Sequence, residues 1–289
     1  MDLVIQSEDL PAAAVDAYAA ACLAPRVQRR GKAARLFDIA DDADTRTIAN
    51  ALAGYWQCDA AFVDPRLRFA GYRVLVSDMD STLITIECID ELARLAGKGE
   101  EVAAITAAAM GGEIADFSDS LRRRVALLAG AGADLVGRVA TERLRLSPGA
   151  AALLAGARAN GWKSLLVSGG FTAFADGIRR DLDMDASWAN ELVVRDGRFT
   201  GEVLGPAEND GRIVDGAAKA RGLRALCAAQ SCTPRQAIAV GDGANDLEMM
   251  AAAGLSIAYR AKPVVRERAT YALNHTGLDG ILNLFADGW

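Results

Sequence analysis

The sequence predicts an α/β fold built on a parallel β-sheet. Three short apolar runs each end in residues suited to phosphate or metal: Val74 to Val76 before Asp78, Leu165 to Val167 before Ser168, and Ala237 to Val240 before Gly241. Buried parallel strands read as continuous apolar runs of this kind, and their carboxyl ends share one edge of the sheet. Helical patterns separate the runs, as in βαβ units. We therefore expect the three polar clusters to converge in space.

Composition and charge exclude several classes of protein. The 289 residues are 52% hydrophobic, which is more than one typical domain and enough for a sizeable core. The formal net charge of −6 argues against a nucleic-acid partner, because affinity for a phosphate backbone needs a basic surface. No apolar run is long enough for a membrane span, and the N-terminus lacks the pattern of a signal peptide. We expect a cytoplasmic protein with no membrane partner.

The numbers and spacing of cysteine and histidine exclude several kinds of catalytic and metal site. The five cysteines are odd in number and form no C-x-x-C pair, so neither a disulfide framework nor a zinc site is indicated. The single histidine, His275, excludes His-rich zinc sites and most Ser-His-Asp schemes. Carboxylates are therefore the natural candidates for catalysis.

Residues 1–70 stand apart from the motif-bearing remainder and predict a small α/β accessory domain. The expected elements are a strand at Leu3 to Ile5, a helix from Pro11 to about Leu23, a strand at Ala34 to Ile39, a helix at Asp44 to Trp56 and a strand at Ala60 to Val63. No polar constellation marks a site in this segment, which favours a docking or stabilising role over a regulatory one.

Residues 85–149 show helical spacing and predict a helical cap inserted after the first core strand. Ile89, Leu92 and Ala93 recur at one helical period, and Leu121 and Val125 at another. The core then comprises residues 71–84 and 150–289. Within it, a hairpin from Glu191 to Val203 is expected to turn at Asp196-Gly197, since this pair tolerates the positive φ that such turns need.

The segment Asp78-Met79-Asp80-Ser81-Thr82 places two carboxylates just past the first core strand. Such a pair is able to hold a hard cation and to offer a carboxylate nucleophile. Each motif taken alone also has a plain structural interpretation. The two aspartates would lie in a solvated turn, and Gly169-Gly170 in a strand-to-helix turn. Lys219 would be an exposed helix residue, and Arg124 and Phe117 would be surface charge or part of the cap core.

Four motifs in order, over about 220 residues, resemble those of the haloacid dehalogenase (HAD) superfamily, and most closely the phosphoserine phosphatases within it. The motifs are D-x-D-x-T at Asp78 to Thr82, a strand-end Ser at Ser168, a helix-borne Lys at Lys219, and G-D-x-x-N-D at Gly241 to Asp246. The resemblance implies a Rossmann-like parallel sheet (the HAD core) carrying the helical cap.

The resemblance also implies the roles of the acidic residues. Asp78 is the expected nucleophile, which forms an aspartyl-phosphate, and Asp80 the general acid and base. Mg²⁺ is the expected cofactor, held by the side chains of Asp78 and Asp242 and by the backbone carbonyl of Asp80. Asp246 is expected to orient a water or Lys219 rather than to bind the metal.

Substrate-binding residues follow from the same resemblance. Ser168, the Gly169 N–H, Lys219 and Asn245 are the expected donors to the phosphoryl group. Glu87 is expected to face a substrate ammonium, and the cap residues Arg124 and Phe117 to bind the rest of an amino-acid head group. One departure is that Met110 and Phe117 are seven residues apart where the family has six, which leaves the role of Met110 open.

The function that the resemblance implies is Mg²⁺-dependent hydrolysis of O-phospho-L-serine to L-serine and phosphate, the last step of L-serine biosynthesis. One alternative keeps the chemistry and changes the substrate to another small phosphorylated hydroxy amino acid, or the acceptor to an alcohol. Another is a catalytically silent sensor of serine or phosphoserine. The sequence leaves a homodimer open.

Overall fold

The structure is a computed structural model that describes residues 1–110, 113, 114 and 116–289. Its strands form two sheets, one of four strands near the N-terminus and one of seven strands in the remainder of the chain. Among the described helices, none combines the length and the apolar character needed to cross a membrane.

The N-terminal sheet has the strand order β2-β3-β1-β4 and is antiparallel throughout. Its elements are β1 (Asp2–Gln6), α1 (Ala12–Ala21), β2 (Arg26–Arg30), β3 (Ala33–Phe37), α2 (Ala43–Trp56) and β4 (Asp59–Val63). Strand β2 was not predicted. Its sequence, RVQRR, is exposed along its whole length at the sheet edge. It therefore lacks the alternation of apolar and polar residues by which a half-buried strand is predicted from sequence. Arginines on an exposed edge also discourage pairing with other chains.

The two faces of this sheet are covered differently. Leu3, Ile5 and Leu36 pack under the two helices, whereas Val4 and Val63 join the core of the larger unit. Polar contacts fix the second face as well. The buried Asp59 carboxylate accepts hydrogen bonds from the N–H groups of residues 274–276 at 2.7 to 3.1 Å.

The larger sheet has the order β11-β10-β9-β5-β6-β7-β8, and all neighbours are parallel except β7 and β8. Its strands are β5 (Val74–Ser77), β6 (Lys163–Phe171), β7 (Ala186–Arg195), β8 (Arg198–Leu204), β9 (Ala237–Gly241), β10 (Leu255–Tyr259) and β11 (Tyr271–Leu273). The three predicted apolar strands are its centre, because β5 lies between β6 and β9. The predicted α/β class with a parallel sheet is confirmed.

Helices cover both faces of this sheet. They are α7 (Ala150–Ala159), α8 (Thr172–Asp181), α9 (Gly216–Ala229), α10 (Leu247–Ala252) and the short α11 (Pro263–Arg266). Alternate residues of the strands face opposite ways. Val74 and Val76 belong to one core cluster with Leu223 of α9, and Leu75 belongs to another with Leu153 of α7. The carboxyl ends of the parallel strands are thereby held at one edge of the sheet.

The predicted hairpin is present as β7 and β8. Its turn residues Asp196 and Gly197 have φ values of 51° and 70°, as the predicted turn requires.

Four helices lie between β5 and α7: α3 (Cys88–Leu95), α4 (Gly99–Met110), α5 (Phe117–Ala126) and α6 (Leu135–Glu142). The segment that enters this helical cap and the segment that leaves it are hydrogen-bonded to each other. The Thr85 N–H donates to the Arg145 carbonyl, and the Ser147 N–H donates to the Leu83 carbonyl. A third attachment joins Gly130 to Phe199 of β8 by an N–H to carbonyl bond of 2.8 Å. The cap is therefore attached to the core through these two segments and at the hairpin.

Candidate active site

Asp78 is the first residue after β5 and lies at the carboxyl edge of the sheet. Its N–H donates to the Val240 carbonyl of β9 at 3.0 Å, which extends the strand pairing by one residue and fixes the backbone. The side chain is 5% exposed. Burial and the charge of Asp246 raise the pKa of the Asp78 carboxyl well above its usual range, and Lys219 opposes them.

Lys219 reaches the same point from α9 and is completely buried. Its Nζ lies 2.7 Å from Oδ1 of Asp78 and 2.7 Å from Oδ1 of Asp246. Burial acts to lower the pKa of this ammonium group, but the charges of Asp246 and Asp78 outweigh it and the pKa is raised. Lys219 is therefore a cation held between two carboxylates and not the exposed helix lysine of the plain structural interpretation.

The loop after β9 supplies the remaining carboxylates. Oδ2 of Asp246 accepts hydrogen bonds from the N–H groups of Asp242 and Gly243 at 3.1 and 3.0 Å. A side chain at Gly241 would collide with the Asp246 carboxyl, since a Cβ there would lie 2.4 Å from its carbon. Burial and the charge of Asp246 raise the pKa of Asp242 to about 6.

The carboxylate oxygens of Asp78, Asp242 and Asp246 lie within 4.8 Å of one another. Three carboxylates face one ammonium group at this point, so the cluster carries an excess of two negative charges when all its members are ionised. Oxygen ligands with this charge fit a divalent hard cation. This cluster differs in one member from the ligands predicted for the metal: it contains the Asp246 side chain, whereas the prediction has the backbone carbonyl of Asp80. Both carboxylate oxygens of Asp246 already accept hydrogen bonds from other protein groups.

Asp80 lies beside this cluster, above β6. A Cβ on Gly170 would lie 2.9 Å from Oδ2 of Asp80, which shows how closely the carboxyl approaches the strand. Its other oxygen, Oδ1, is buried and has no hydrogen-bond partner among the described residues. Burial and the charge of Glu87 raise the pKa of Asp80 to about 7. Such a group exchanges a proton readily near neutral pH.

Ser168, Gly169 and Gly170 lie within an irregular stretch of β6, where the register with β7 shifts between Val167 and Phe171. The buried Ser168 Oγ accepts a hydrogen bond of 2.9 Å from the Gly170 N–H. Irregular strands of this kind re-aim side chains next to active sites. The missing side chain at Gly169 makes room for the cap, since a Cβ there would lie 2.5 Å from Cζ of Phe117.

Asn245 lies in a short 3₁₀ turn between Gly243 and Asp246, and its side chain folds back over the loop. A Cβ on Gly243 would meet Oδ1 of Asn245 at 2.4 Å. Asn245 thus shares a loop with Asp242 and Asp246, at the carboxyl edge of the sheet.

The cap contributes Glu87, Phe117 and Arg124 from three different positions. Glu87 precedes α3 and accepts a 2.6 Å hydrogen bond from the Ser81 hydroxyl. Arg124 lies on α5, where burial lowers the pKa of its guanidinium while the charges of Asp90, Glu87 and Asp80 act to raise it. These carboxylates are therefore close enough to act on Arg124. The segment from Met110 to Phe117, whose spacing departs from that of the family, includes residues that lie outside the described part of the structure.

Every predicted site residue that the structure describes lies at the carboxyl edge of the large sheet or on the cap above it. Sequence reasoning missed Asn190 of β7, which is buried, donates to the Gly169 carbonyl at 2.8 Å and accepts from the Val214 N–H at 2.9 Å. The available signal was an asparagine shortly before the apolar run Leu192 to Val194. It also missed the contact between Ser81 and Glu87.

Three comparisons with known proteins agree with this geometry. A family model described as haloacid dehalogenase-like hydrolase matches residues 75–251. A phosphoserine phosphatase of Polaromonas sp. (strain JS666) is 51% identical over 220 residues, which cover 76% of this chain and 92% of that protein.

Solved structures agree as well. The unliganded crystal structure of a probable phosphoserine phosphatase from Vibrio cholerae has a TM-score of 0.82 at 36% identity, over 99% of this chain and 86% of that one. A substrate-bound phosphoserine phosphatase complex has a TM-score of 0.67 at 36% identity, over 74% and 98%. These findings confirm the resemblance noted in the sequence. The chain belongs to the haloacid dehalogenase-like hydrolase family.

Proposed function

We propose that the protein hydrolyses O-phospho-L-serine to L-serine and phosphate with Mg²⁺ as cofactor, the final step of L-serine biosynthesis. The observation that carries this proposal is the buried Asp78 carboxylate at the centre of the sheet edge, held at 2.7 Å by Lys219 beside two further aspartates. The relatives named phosphoserine phosphatase support the choice of substrate.

The reaction takes place in two steps at one carboxylate. An oxygen of Asp78 attacks phosphorus, the bond from phosphorus to the serine oxygen breaks, and Asp80 gives its proton to the departing alkoxide. Asp80, now ionised, takes a proton from a water that attacks the phosphorus of the aspartyl-phosphate. The bond from phosphorus to the Asp78 oxygen breaks, which restores the Asp78 carboxylate and releases phosphate. A pKa of about 7 suits Asp80 to both transfers, because neither of its protonation states is strongly favoured near neutral pH.

The metal would be held by the carboxylates of Asp78 and Asp242 and by the backbone carbonyl of Asp80. Mg²⁺ bound there would offset the repulsion between the negative charges of the carboxylates and the phosphate. Asp246 would act on Lys219, to which its Oδ1 accepts a hydrogen bond of 2.7 Å.

The transferred phosphoryl group needs fixed donors around its oxygens, since positioning and electrostatic stabilisation dominate phosphoryl transfer. Ser168, the Gly169 N–H, Lys219 and Asn245 supply them in this proposal. Phe117 lies against Gly169 and would exclude water from that side. Glu87 would bind the ammonium group of the substrate, and Arg124 would bind its carboxylate in bidentate fashion.

A phosphate-release panel with and without Mg²⁺ tests the proposal. We expect turnover of O-phospho-L-serine to require the metal and to exceed that of O-phosphothreonine and of simple phosphomonoesters. Preferred turnover of another phosphorylated hydroxy amino acid would change the substrate and keep the chemistry. Binding of serine or phosphoserine without any phosphate release would support the silent sensor instead.

The variant Asp78→Asn tests the nucleophile, and we expect it to lower kcat by several orders of magnitude because an amide cannot form the acyl phosphate. The matched control is Asp196→Asn, an equal change in the β7–β8 turn, where asparagine also tolerates a φ of 51°. Activity retained in Asp78→Asn would reject the covalent mechanism.

A further inference from the structure

The loop from Ser81 to Glu87 joins the Asp-x-Asp motif to the first cap helix. Ser81 makes two hydrogen bonds that connect the start of this loop to its end. Its hydroxyl donates a hydrogen bond of 2.6 Å to Oε1 of Glu87. Its backbone N–H donates to the Ile86 carbonyl at 3.1 Å. One residue thus fixes both the side chain of Glu87 and the backbone just before it.

Ser81 holds a backbone conformation that side chains rarely adopt. Its φ is +55°, in the left-handed region where a Cβ is sterically unfavourable. Glycine would adopt this conformation without strain, so the hydroxyl group is what serine adds at this position. Strained residues of this kind are concentrated at functional sites.

Glu87 depends on this hydroxyl for its orientation. The side chain is exposed, and among the described residues Ser81 supplies the only hydrogen bond to its carboxylate. A glutamate without such a bond distributes over several rotamers, and binding must then restrict them. The charge of Glu87 acts on Arg124 of the cap and on Asp80 of the core, so the carboxylate is near both.

We propose that Ser81 is a positioning residue for substrate recognition: its hydroxyl group fixes Oε1 of Glu87 and thereby aims Oε2 at the substrate ammonium group. The inference rests on the proposed function, because it assumes an amino-acid substrate. It adds that the loop following the nucleophile, and not the cap alone, determines selectivity for the amine.

The test compares two substrates that differ only in the amine. These are O-phospho-L-serine and the phosphate ester of 3-hydroxypropanoate, which keeps the phosphate and the carboxylate. Ser81→Gly removes the hydroxyl and keeps the backbone conformation. We expect it to raise KM for phosphoserine about tenfold, the size of a hydrogen bond to a charged group, and to change KM for the amine-free ester by at most about twofold.

A double-mutant cycle with Glu87→Ala separates positioning from a direct contact with substrate. If Ser81 acts through Glu87, Ser81→Gly has no further effect on KM for phosphoserine in the Glu87→Ala background. A full tenfold effect in that background would overturn the proposal, as would equal effects of Ser81→Gly on both substrates. Ser81→Ala, with the hydroxyl also removed, serves as the second variant if the glycine variant does not fold.

Failure of this inference is distinguishable from failure of the proposed function. A wild-type protein that does not hydrolyse phosphoserine contradicts the function. A wild-type protein that prefers phosphoserine over the amine-free ester, together with an unchanged preference in Ser81→Gly, contradicts the role of Ser81 alone.

Discussion

The sheet edge and the cap hold their site residues in different ways. At the sheet edge, Ser168, Lys219 and Asp246 are completely buried and Asp78 is 5% exposed, and each has hydrogen-bond or ion-pair partners inside the protein. On the cap side, Glu87 is exposed and Phe117 and Arg124 are partly exposed. The buried groups at the sheet edge are therefore held by contacts inside the protein, whereas the cap residues are more accessible to solvent.

This contrast has an energetic side. Buried charges interact strongly but lose hydration, so removal of one partner is costly. Exposed charges are screened by water and contribute little to stability. Changes at the sheet edge should therefore alter stability as well as activity, and changes on the cap should alter mainly substrate preference.

The largest predicted effect on stability concerns Lys219. Replacement Lys219→Met leaves Asp78 and Asp246 buried without their cation, and we expect the free energy of unfolding at pH 7.5 in metal-free buffer to fall by about 3 to 5 kcal/mol. Denaturant unfolding measures this difference.

The matched control for this variant is Lys98→Met in the exposed pair of Lys98 and Glu101, whose side chains are 43% and 48% exposed. That change should cost at most about 0.5 kcal/mol. If both variants lost a similar amount of unfolding free energy, the buried ion pairs of Lys219 would contribute no more to stability than an exposed surface pair, which would contradict this prediction.

The pH dependence of stability examines the same edge through Asp242. An unfolded aspartate loses its proton near pH 3.8, but folded Asp242 keeps it up to about pH 6, so the folded state binds more protons between these values. In metal-free buffer, the unfolding free energy of the wild type relative to Asp242→Asn should therefore fall as pH rises from 4 to 7.

The size of that fall is up to about 3 kcal/mol, and less to the extent that solvent screens this partly exposed group. Urea unfolding of both proteins at several pH values measures it. A wild-type stability that rises relative to Asp242→Asn over this range would contradict the cause assigned to the shift.

The smallest predicted effect belongs to the cap. Arg124→Ala should raise KM for phosphoserine about tenfold, since a charged hydrogen-bond partner of the substrate carboxylate is lost, and should leave KM for an aryl phosphate within about twofold. The matched control is Arg123→Ala, because Arg123 is 56% exposed and pairs with Asp119 of its own helix. Equal effects on both substrates would remove Arg124 from recognition.

Much of the fold could be predicted because local patterns and topology agreed. The apolar runs at β5, β6 and β9, the Asp196-Gly197 turn and the helical periods of the cap each indicated one structure. The strands β2 and β11 were missed, since β2 carries arginines with no apolar alternation and β11 has only three residues. The division into segments 1–70, 85–149 and the core stays a prediction.

The sequence by itself determined the fold class and the family, and it marked the acidic loops from which the proposed nucleophile and the proposed metal ligands are drawn. These follow from residue types at fixed spacing, which a linear pattern contains. Only the tertiary structure decided that Lys219 is a buried cation between Asp78 and Asp246, that Asn190 fixes Gly169, and that Ser81 holds Glu87. The first two are contacts between residues distant in sequence, and the third depends on the left-handed backbone at Ser81. Burial, charge pairing and side-chain direction at such points arise only when the chain is packed.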